Sequence, residues 1–373
     1  LRYNKMPLQS FVLLHQQILS RLGSTLCPDK ETNTAMQAVV EYFATAMGRF
    51  YPFHVLPTLF SLLHNNVDSA GNSGKDPSDQ LKFLEIGRSA SSGSIGQDER
   101  QLATRKVLTA IHRHFQEGSR NNSNLVIAVQ KLLVQYVMLA KVPTSDLHDK
   151  GKVKGIKFSA LQEKGKRFNE LVTSDKLQCQ VPILTIAVPL RPMQKNQPCD
   201  WVVMLDRCDA HFDVSESGIS RPKFITMIGT DGLQYRQIVK GGDDLRQDAV
   251  MQQVFENVNV TLQRQRRGRS RLISLAMKTT SLEDMNDADS LDRQVYIRTY
   301  KVIPTTALTG IMEFVENTAA FGSLLCDHVP PAGAPRSSGK QGLHSRHRPQ
   351  DWPNLKCQHA MKNAARYRNH KLA

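Results

Sequence analysis

The feature that most constrains the fold is a change of hydrophobic spacing near Pro143. Before this point, apolar residues recur three and four positions apart, the spacing of helices that bury one face. Helices are predicted around 11–22, 39–50, 55–63, 104–115 and 125–140, with surface loops at 68–80 and 89–98. The clearest stripe is Val126, Val129, Leu132, Leu133, Tyr136 and Val137. It needs a partner surface, and we expect neighbouring helices of a bundle or solenoid to provide it.

After Pro143, short apolar runs alternate with turn residues, as in antiparallel strands. Strands are predicted at 182–188, 201–205, 224–228, 234–240, 295–303 and 311–315. Gly229-Thr-Asp-Gly232 is typical of a tight hairpin turn. A helix predicted at 244–260 interrupts the strands, with Leu245, Ala249, Val250, Val254 and Val258 on its buried side. The sequence therefore predicts an α+β fold, in which a helical, solenoid-like region precedes an antiparallel sheet with one docked helix.

Composition narrows the classes of partner. Lys and Arg number 49 against 34 Asp and Glu, a formal charge of +15 that favours acidic partners such as nucleotides, nucleic acids or anionic membranes. No run approaches the roughly 20 apolar residues of a membrane-spanning helix, and no secretion signal opens the chain. Six cysteines without a C-x-x-C pair indicate reduced thiols of an intracellular protein. The first residue is Leu1 rather than Met, which suggests a fragment or a processed product.

The most informative segment is K-G-G-D-D-L-R-Q-D-A-V-M-Q-Q-V-F, which starts at Lys240. A strand ends at this lysine, two glycines permit a sharp turn, and Asp243 and Asp244 stand where a helix begins. In a purely structural reading, the aspartates cap the helix and Lys240 is a solvated strand end. In a functional reading, Lys240 offers its ammonium to nucleotide phosphates, and a carboxylate of the adjacent helix holds the side chain in place.

This segment resembles the lysine and first helix of the phosphatidylinositol-3-kinase-related protein kinases, most closely the ATM (ataxia-telangiectasia mutated) branch. Flanking motifs in the family's order are Gly229-Thr-Asp-Gly232, Thr299-Tyr-Lys-Val-Ile-Pro304 and Gly310-Ile-Met-Glu-Phe-Val315. Upstream, 51–66 is similar to the end of the helical FAT region. The resemblance implies a FAT-like region at 1–142, a connector and start of the kinase region at 143–200, and a kinase N-lobe with a truncated tail at 201–373.

The resemblance also implies an ATP site. Ser215, Ser217 and Gly218 would lie in the loop that covers the phosphates, and Lys240 would bind the phosphates. Asp248 would meet Tyr300 behind the pocket, with Asp243 as the competing partner of Lys240. Met312 would lie beside the adenine, and Glu313, Phe314 and Val315 would form the hinge. Phe314 departs from the tryptophan usual at that place but keeps an aromatic face. Taken alone, Met312 and Phe314 would be interpreted as core residues.

A phosphotransferase also needs residues from a second lobe, which this family supplies in G-D-R-H-x-x-N and D-F-G-type segments. Neither occurs after Val315: Cys326-Asp-His328 lacks the arginine, and His344-Ser-Arg-His347 has no D-F-G after it. We therefore expect the C-lobe to be absent, no catalytic or metal-binding residue to lie in this chain, and no phosphate transfer by the chain alone. The insertion at 277–293 and the Pro/Gly/Ser-rich 330–339 are expected to be loops.

Family membership would imply ATP with Mg²⁺, protein Ser/Thr substrates, DNA-damage sensor partners, a nuclear location and no membrane association for the intact protein. The alternatives are a phosphoinositide lipid kinase relative and a non-catalytic helical scaffold with a degenerate nucleotide lobe. Five Arg between Arg264 and Arg271, and nine Lys and Arg against one Asp in 330–373, could contact nucleic acid, although solvated loops are the simpler interpretation. A zinc site from Cys326/His328, His344/His347 and Cys357/His359 fits no familiar spacing.

Overall fold

The structure is a computed structural model of the 373-residue chain. It describes residues 7–67, 98–118, 122–143, 153–161, 168, 181–194, 199–215, 220–276, 296–318, 321–325, 342–348, 350–352 and 354–370. The predicted loops at 68–80 and 330–339, nearly all of the one at 89–98, and the insertion at 277–293 lie outside these residues. The chain forms two compact units, 1–314 and 315–373. The predicted domain boundaries, at 142/143 and 200/201, both fall within the first unit and stay a prediction.

The first unit begins with helices, as predicted. They are α1 (Leu8–Val12), α2 (His15–Leu19), α3 (Lys30–Phe50), α4 (Pro52–His64), α5 (Glu99–Gln116) and α6 (Leu125–Ala140), with a 3-10 turn at Asn65–Val67. The predicted helix at 11–22 is divided into α1 and α2. Asp29 caps α3 by accepting a hydrogen bond from the backbone N–H of Thr32 at 2.7 Å.

Helix α6 lies in the centre of this unit. Every residue of its predicted stripe is buried. The expected partners were other helices, and α6 does pack on α4 and α5, but it also packs on strands β4 (Gln234–Gly241) and β6 (Thr309–Glu313). Buried polar groups fix this junction: the hydroxyl of Tyr136 donates to Gln237, whose amide donates to Thr185 at 2.9 Å. The helical region and the sheet therefore share one core.

The sheet has six antiparallel strands in the order β1-β2-β3-β4-β6-β5. The strands are β1 (Ile156–Lys157, followed by a 3-10 turn at Phe158–Ala160), β2 (Leu205–Val214), β3 (Lys223–Gly229), β4, β5 (Val302–Pro304) and β6. The predicted turn at 229–232 joins β3 to β4, and Gly232 has the positive φ of 77° that favours glycine there. The predicted α+β class with an N-lobe-like sheet is confirmed.

Several strand predictions were wrong. The 182–188 run forms one isolated bridge, Pro182 to Met204, because prolines at 182 and 189 cannot donate ladder hydrogen bonds. The strand predicted at 201–205 starts at Leu205 instead and runs to Val214. Only the end of the predicted 295–303 strand is extended in the sheet, as β5.

Helix α7 (Arg246–Ala276) follows β4 and is longer than predicted, so the arginine-rich 264–271 is helical and not a loop. Leu245 and Ala249 are buried as expected, whereas Val250, Val254 and Val258 are 48%, 44% and 38% exposed. The buried side of α7 instead continues through polar residues. The side chain of Gln252 accepts from the backbone N–H of Tyr300 at 3.1 Å, and that of Asn259 bonds both backbone groups of Ile297.

The second unit contains α8 (Phe321–Leu325), α9 (Leu343–His347) and α10 (Asn354–His370). The basic 354–370 segment is therefore a helix, and its positive side chains from Lys356 to Arg366 are exposed. None of the described helices of the chain is both long and apolar enough to cross a membrane.

One buried cation of the sheet gives a stability prediction. Lys223 is 3% exposed, its ammonium donates to the carbonyl of Ala140 at 3.4 Å, and burial lowers its pKa to about 8. Below that pH the folded state carries a buried charge. We expect Lys223→Met to raise the free energy of unfolding at pH 7 by about 1–3 kcal/mol.

The stability advantage of Lys223→Met should shrink between pH 8 and 10. In this range the unfolded parent binds more protons at Lys223 than the folded parent does, so the parent becomes more stable as the pH rises. Urea unfolding at several pH values measures this. Lys157→Met, at an exposed strand position, is the matched control and should change stability by less than about 0.5 kcal/mol. A Lys223→Met variant less stable than the parent at pH 7 would contradict the argument.

Candidate functional site

Strands β4 and β6 bring the predicted lysine and the predicted adenine-side residue to one face of the sheet. Their register pairs Lys240 with Gly310 and Ile238 with Met312. Opposed residues of antiparallel strands project to the same face, and so do residues two apart on one strand. Lys240, Ile238 and Met312 therefore share a face, and it is opposite to the face on which Gln237 contacts α6.

An apolar cluster forms the floor of this face. Leu245, Ala249, Val302 and Met312 are buried together, with Ile238 and Tyr300 packed against them. The sequence singled out Met312 and Tyr300 but missed the functional potential of Ile238 and Val302. Two signals would have found them. Ile238 lies two residues before Lys240 on the same strand, and Val302 pairs with Met312 between β5 and β6.

The ammonium of Lys240 lies 3.3 Å from Asp243 Oδ2, while the lysine side chain keeps 24% of its exposure. The backbone N–H of Asp243 donates to the carbonyl of Leu308 at 3.1 Å, which ties the turn to the β5–β6 hairpin. An ion pair this exposed contributes at most about 1 kcal/mol. Its effect is positional: it holds a reachable cation where β4 meets α7.

The neighbouring aspartate organises the start of α7. Asp244 accepts hydrogen bonds from the backbone N–H of Arg246 at 3.0 Å and from its guanidinium at 2.7 and 2.8 Å. The guanidinium of Arg246 lowers the pKa of this carboxyl. The capping role foreseen for the aspartates thus falls to Asp244, and the pairing with Lys240 falls to Asp243.

Asp248, the helix carboxylate expected to meet Tyr300, is half-buried in the first turn of α7. Within the described residues its side chain makes no hydrogen bond or ion pair, with Tyr300 or with Lys240. Asp243 is therefore the carboxylate that the structure brings to Lys240.

Two backbone N–H groups of the predicted hinge are not free to bond an adenine base. The backbone N–H of Glu313 donates to the carbonyl of Lys301 at 2.8 Å, and that of Phe314 donates to the carbonyl of Arg236 at 3.1 Å. These two N–H groups are already bonded. Val315 begins the second unit, and its carbonyl accepts from the Thr318 hydroxyl at 3.1 Å.

An aromatic cluster covers the end of this face. The Arg236 guanidinium lies 4.0 Å from the centre of the Phe314 ring, and Phe224 meets that ring edge-on at 5.7 Å. Arg236 and Phe224 were not among the predicted site residues, although both follow the alternation of Lys240 through β4 and β3. One face of the predicted stacking ring is thus already occupied by a cation.

The predicted phosphate-covering loop joins β2 to β3. The backbone N–H of Ser215 donates to the carbonyl of Pro222 at 3.0 Å and closes the base of this hairpin. Ser217 and Gly218 lie outside the described residues. Lys240 lines none of three sizeable cavities of the first unit, of about 290, 190 and 370 Å³.

In the part of the chain that the structure describes, no three His, Cys, Asp or Glu side chains come together as a metal centre. Of the residues considered for a zinc site, His344, His347, Cys357 and His359 are among those described. Cys326 and His328 lie outside the described residues. His344 instead lies 3.2 Å from Asp351.

Residues 234–369 match the family model described as phosphatidylinositol 3- and 4-kinase. The pig serine-protein kinase ATM is 25% identical over 96% of this chain, which covers 10% of that protein. The serine/threonine-protein kinase tel1 of Schizosaccharomyces pombe is 29% identical over 86% of this chain and 9% of the relative. The chain spans about a tenth or less of these relatives.

A solved structure described as the FAT and kinase domain of CtTel1 superimposes with a TM-score of 0.58. It is 23% identical and covers 97% of this chain, which corresponds to 19% of the solved one. This likeness shows the fold. Together with the curated relatives, it confirms the predicted ATM-type resemblance.

Proposed function

We propose that this chain, whose residues 234–369 match the phosphatidylinositol 3- and 4-kinase family model, supplies the ATP-phosphate-binding lobe of an ATM/Tel1-type serine/threonine protein kinase. The observation that carries the proposal is the 3.3 Å pair of Lys240 and Asp243, beside the apolar floor of Ile238 and Met312. An ammonium has three donors, so Lys240 can keep Asp243 and still bond a phosphate oxygen.

In this proposal, 1–142 is the FAT-like region, 143–200 the connector and 201–373 the kinase region. Catalysis in the intact protein would rest on positioning and on neutralising the charge of the phosphates, with Mg²⁺ bound together with ATP. Lys240 contributes the protein's cation. We propose that Asp248, Tyr300, Ser215 and the hinge residues Glu313 and Phe314 lie around the nucleotide.

The intact protein would then phosphorylate Ser or Thr of protein substrates in DNA-damage signalling, with sensor proteins as partners and the nucleus as its location. The curated relatives are serine or serine/threonine protein kinases, which favours protein over phosphoinositide substrates. We propose that the chain by itself binds ATP without transferring phosphate, because its sequence holds neither of the two C-lobe motifs.

Titration calorimetry with ATP and Mg²⁺ tests the proposal. Lys240→Ala should weaken ATP binding by about 10- to 100-fold, because a charge-assisted hydrogen bond to phosphate is lost. Lys106→Ala, which removes an exposed lysine paired with Glu41, is the matched control and should leave the affinity unchanged. Equal ATP affinity of parent and Lys240→Ala would overturn the proposal, and absence of ATP binding in both would support the scaffold alternative.

A further inference from the structure

A second candidate binding site lies away from the Lys240 face, between the N-terminal helices and the edge of the sheet. Strand β5 is packed between α4 and α7. There, two cavities of about 290 and 190 Å³ share Lys301, His15 and His54 in their walls and so adjoin each other. We call the smaller one the β5 crevice.

The β5 crevice has no acidic side chain among its lining residues. Lys301 and Arg246 contribute positive charge, three hydroxyls come from Ser20, Thr58 and Ser61, and the apolar wall includes Phe53, Pro57 and Ile303. Arg246 is already paired with Asp244. Lys301 is therefore the cation of the crevice that is left to attract a ligand.

Lys301 is held in place through its backbone and not through its ammonium. Its N–H donates to the side chain of Glu313 at 3.0 Å, and its carbonyl accepts from the N–H of the same residue. The ammonium makes no hydrogen bond or ion pair within the described residues. Burial lowers the pKa of Lys301, and the more distant charges of Glu256 and Glu313, which line the larger cavity, raise it. Because neither carboxylate lies within ion-pair distance, the ammonium has no direct partner among the described residues, and this favours an anion at its side.

The two histidines add neutral polar groups. His15 Nδ1 bonds the Val12 carbonyl at 2.7 Å and His54 Nε2 bonds the Val188 carbonyl at 3.1 Å, so each of these nitrogens carries the hydrogen. His54 Nδ1 is buried and has no partner in the described part of the chain. Burial lowers the pKa of both imidazoles to about 4, so both are neutral acceptors near pH 7.

We propose that the β5 crevice binds a small organic anion, a phosphate monoester or a carboxylate, whose charged group pairs with Lys301 and whose apolar body lies against Phe53, Pro57 and Ile303. The hydroxyls of Thr58 and Ser61 donate to the anion's remaining oxygens. A ligand seated there bridges α4, β5 and α7, and thus joins the helical region to the helix that follows Lys240.

Phenyl phosphate and benzoate are suitable probes, with benzyl alcohol as the uncharged control. Titration calorimetry and saturation-transfer NMR on the full chain should show binding of the two anions and at least about tenfold weaker binding of the alcohol. Lys301→Gln should weaken anion binding by about tenfold or more. Thr58→Phe, which fills the crevice from a half-exposed helix position, should have the same effect without removing a charge.

Lys106→Gln is the charge-matched control and should bind like the parent. Circular dichroism establishes whether each variant is folded. If Lys301→Gln does not fold, Thr58→Phe still tests the proposal. Three results would overturn the proposal: equal binding of benzyl alcohol and phenyl phosphate, no effect of either crevice variant, or binding that is lost in Lys240→Ala and kept in Lys301→Gln. The last would place the anion at the nucleotide face.

Discussion

Acidification from pH 7 to about pH 4 is expected to unfold the 1–314 unit. Three histidines of the helical region, His15, His54 and His64, have their pKa lowered from 6.5 to about 4, chiefly by burial. Between these two values the unfolded chain binds protons that the folded chain does not, so stability falls as the pH falls. Each shift corresponds to roughly 3 kcal/mol, and three of them approach the whole stability of a typical domain, about 5–15 kcal/mol.

His64 allows the cause to be tested. It is 1% exposed, its Nε2 has no hydrogen-bond partner in the described residues, and its ring stacks on Phe60 at 6.0 Å. His64→Leu removes one protonation site without breaking a hydrogen bond to any described residue. We expect the midpoint of acid unfolding, followed by circular dichroism, to move to lower pH, while stability at pH 7 stays within about 1 kcal/mol of the parent.

His211→Gln, at an exposed strand position, is the control and should leave the acid midpoint in place. An acid midpoint that His64→Leu does not move would show that burial of this imidazole is not a source of the acid sensitivity. A transition already complete above pH 6.5 would likewise require another group.

The helical half was predictable because one physical rule, burial of a 3.6-residue stripe, governs it. The stripe of α6 is buried residue for residue. The sequence did not reveal that α6 would pack on β4 and β6 as well as on helices. That packing depends on the Tyr136–Gln237–Thr185 hydrogen bonds, which connect residues far apart in the chain.

The same rule fails for α7. Its valine stripe suggested the buried side, yet the side that packs on β5 carries Ala249, Gln252 and Asn259. The two amides bond the backbone of the 297–300 segment, which belongs to no strand. The backbone groups of this irregular segment need hydrogen-bond partners, and the two amides of α7 provide them in place of an apolar contact. The spacing of hydrophobic residues does not reveal where such partners are needed.

Strand β2 shows a further limit. Its pairing with β3 is shifted between Leu205 and Arg207 and again between Cys208 and Phe212. Each irregularity breaks the period of two on which strand prediction depends, so Leu205–Val214 was not predicted as a strand. Lys240 and Met312 do lie on one face of the sheet, because both belong to the regular β4–β6 pair. Phe224 and Arg236 were missed because only the strand register places them beside Phe314.

The largest effect of a single substitution is expected at Gly241, directly after Lys240. A Cβ at this position would lie 2.5 Å from the carbonyl oxygen of Ala140, at the end of α6. The backbone fixes the positions of both the Cβ and the carbonyl oxygen, so neither can rotate away, and a larger residue must separate the strand from the helix. We expect Gly241→Val to lower the free energy of unfolding by about 3 kcal/mol and to weaken ATP binding, because Lys240 moves with the strand.

Gly242→Ala is the control that distinguishes the steric effect of this contact from the effect of backbone conformation. Gly242 has a φ of +75°, but a Cβ there would meet nothing within 4 Å. Its replacement therefore costs only the strain of a left-handed alanine, about 1 kcal/mol. Urea unfolding of both variants, with ATP titration of each, makes the comparison. If Gly241→Val were no more destabilising than Gly242→Ala, the close approach of β4 to α6 would not hold in solution. The position of Lys240 would then depend on the β4–β6 pairing and on Asp243.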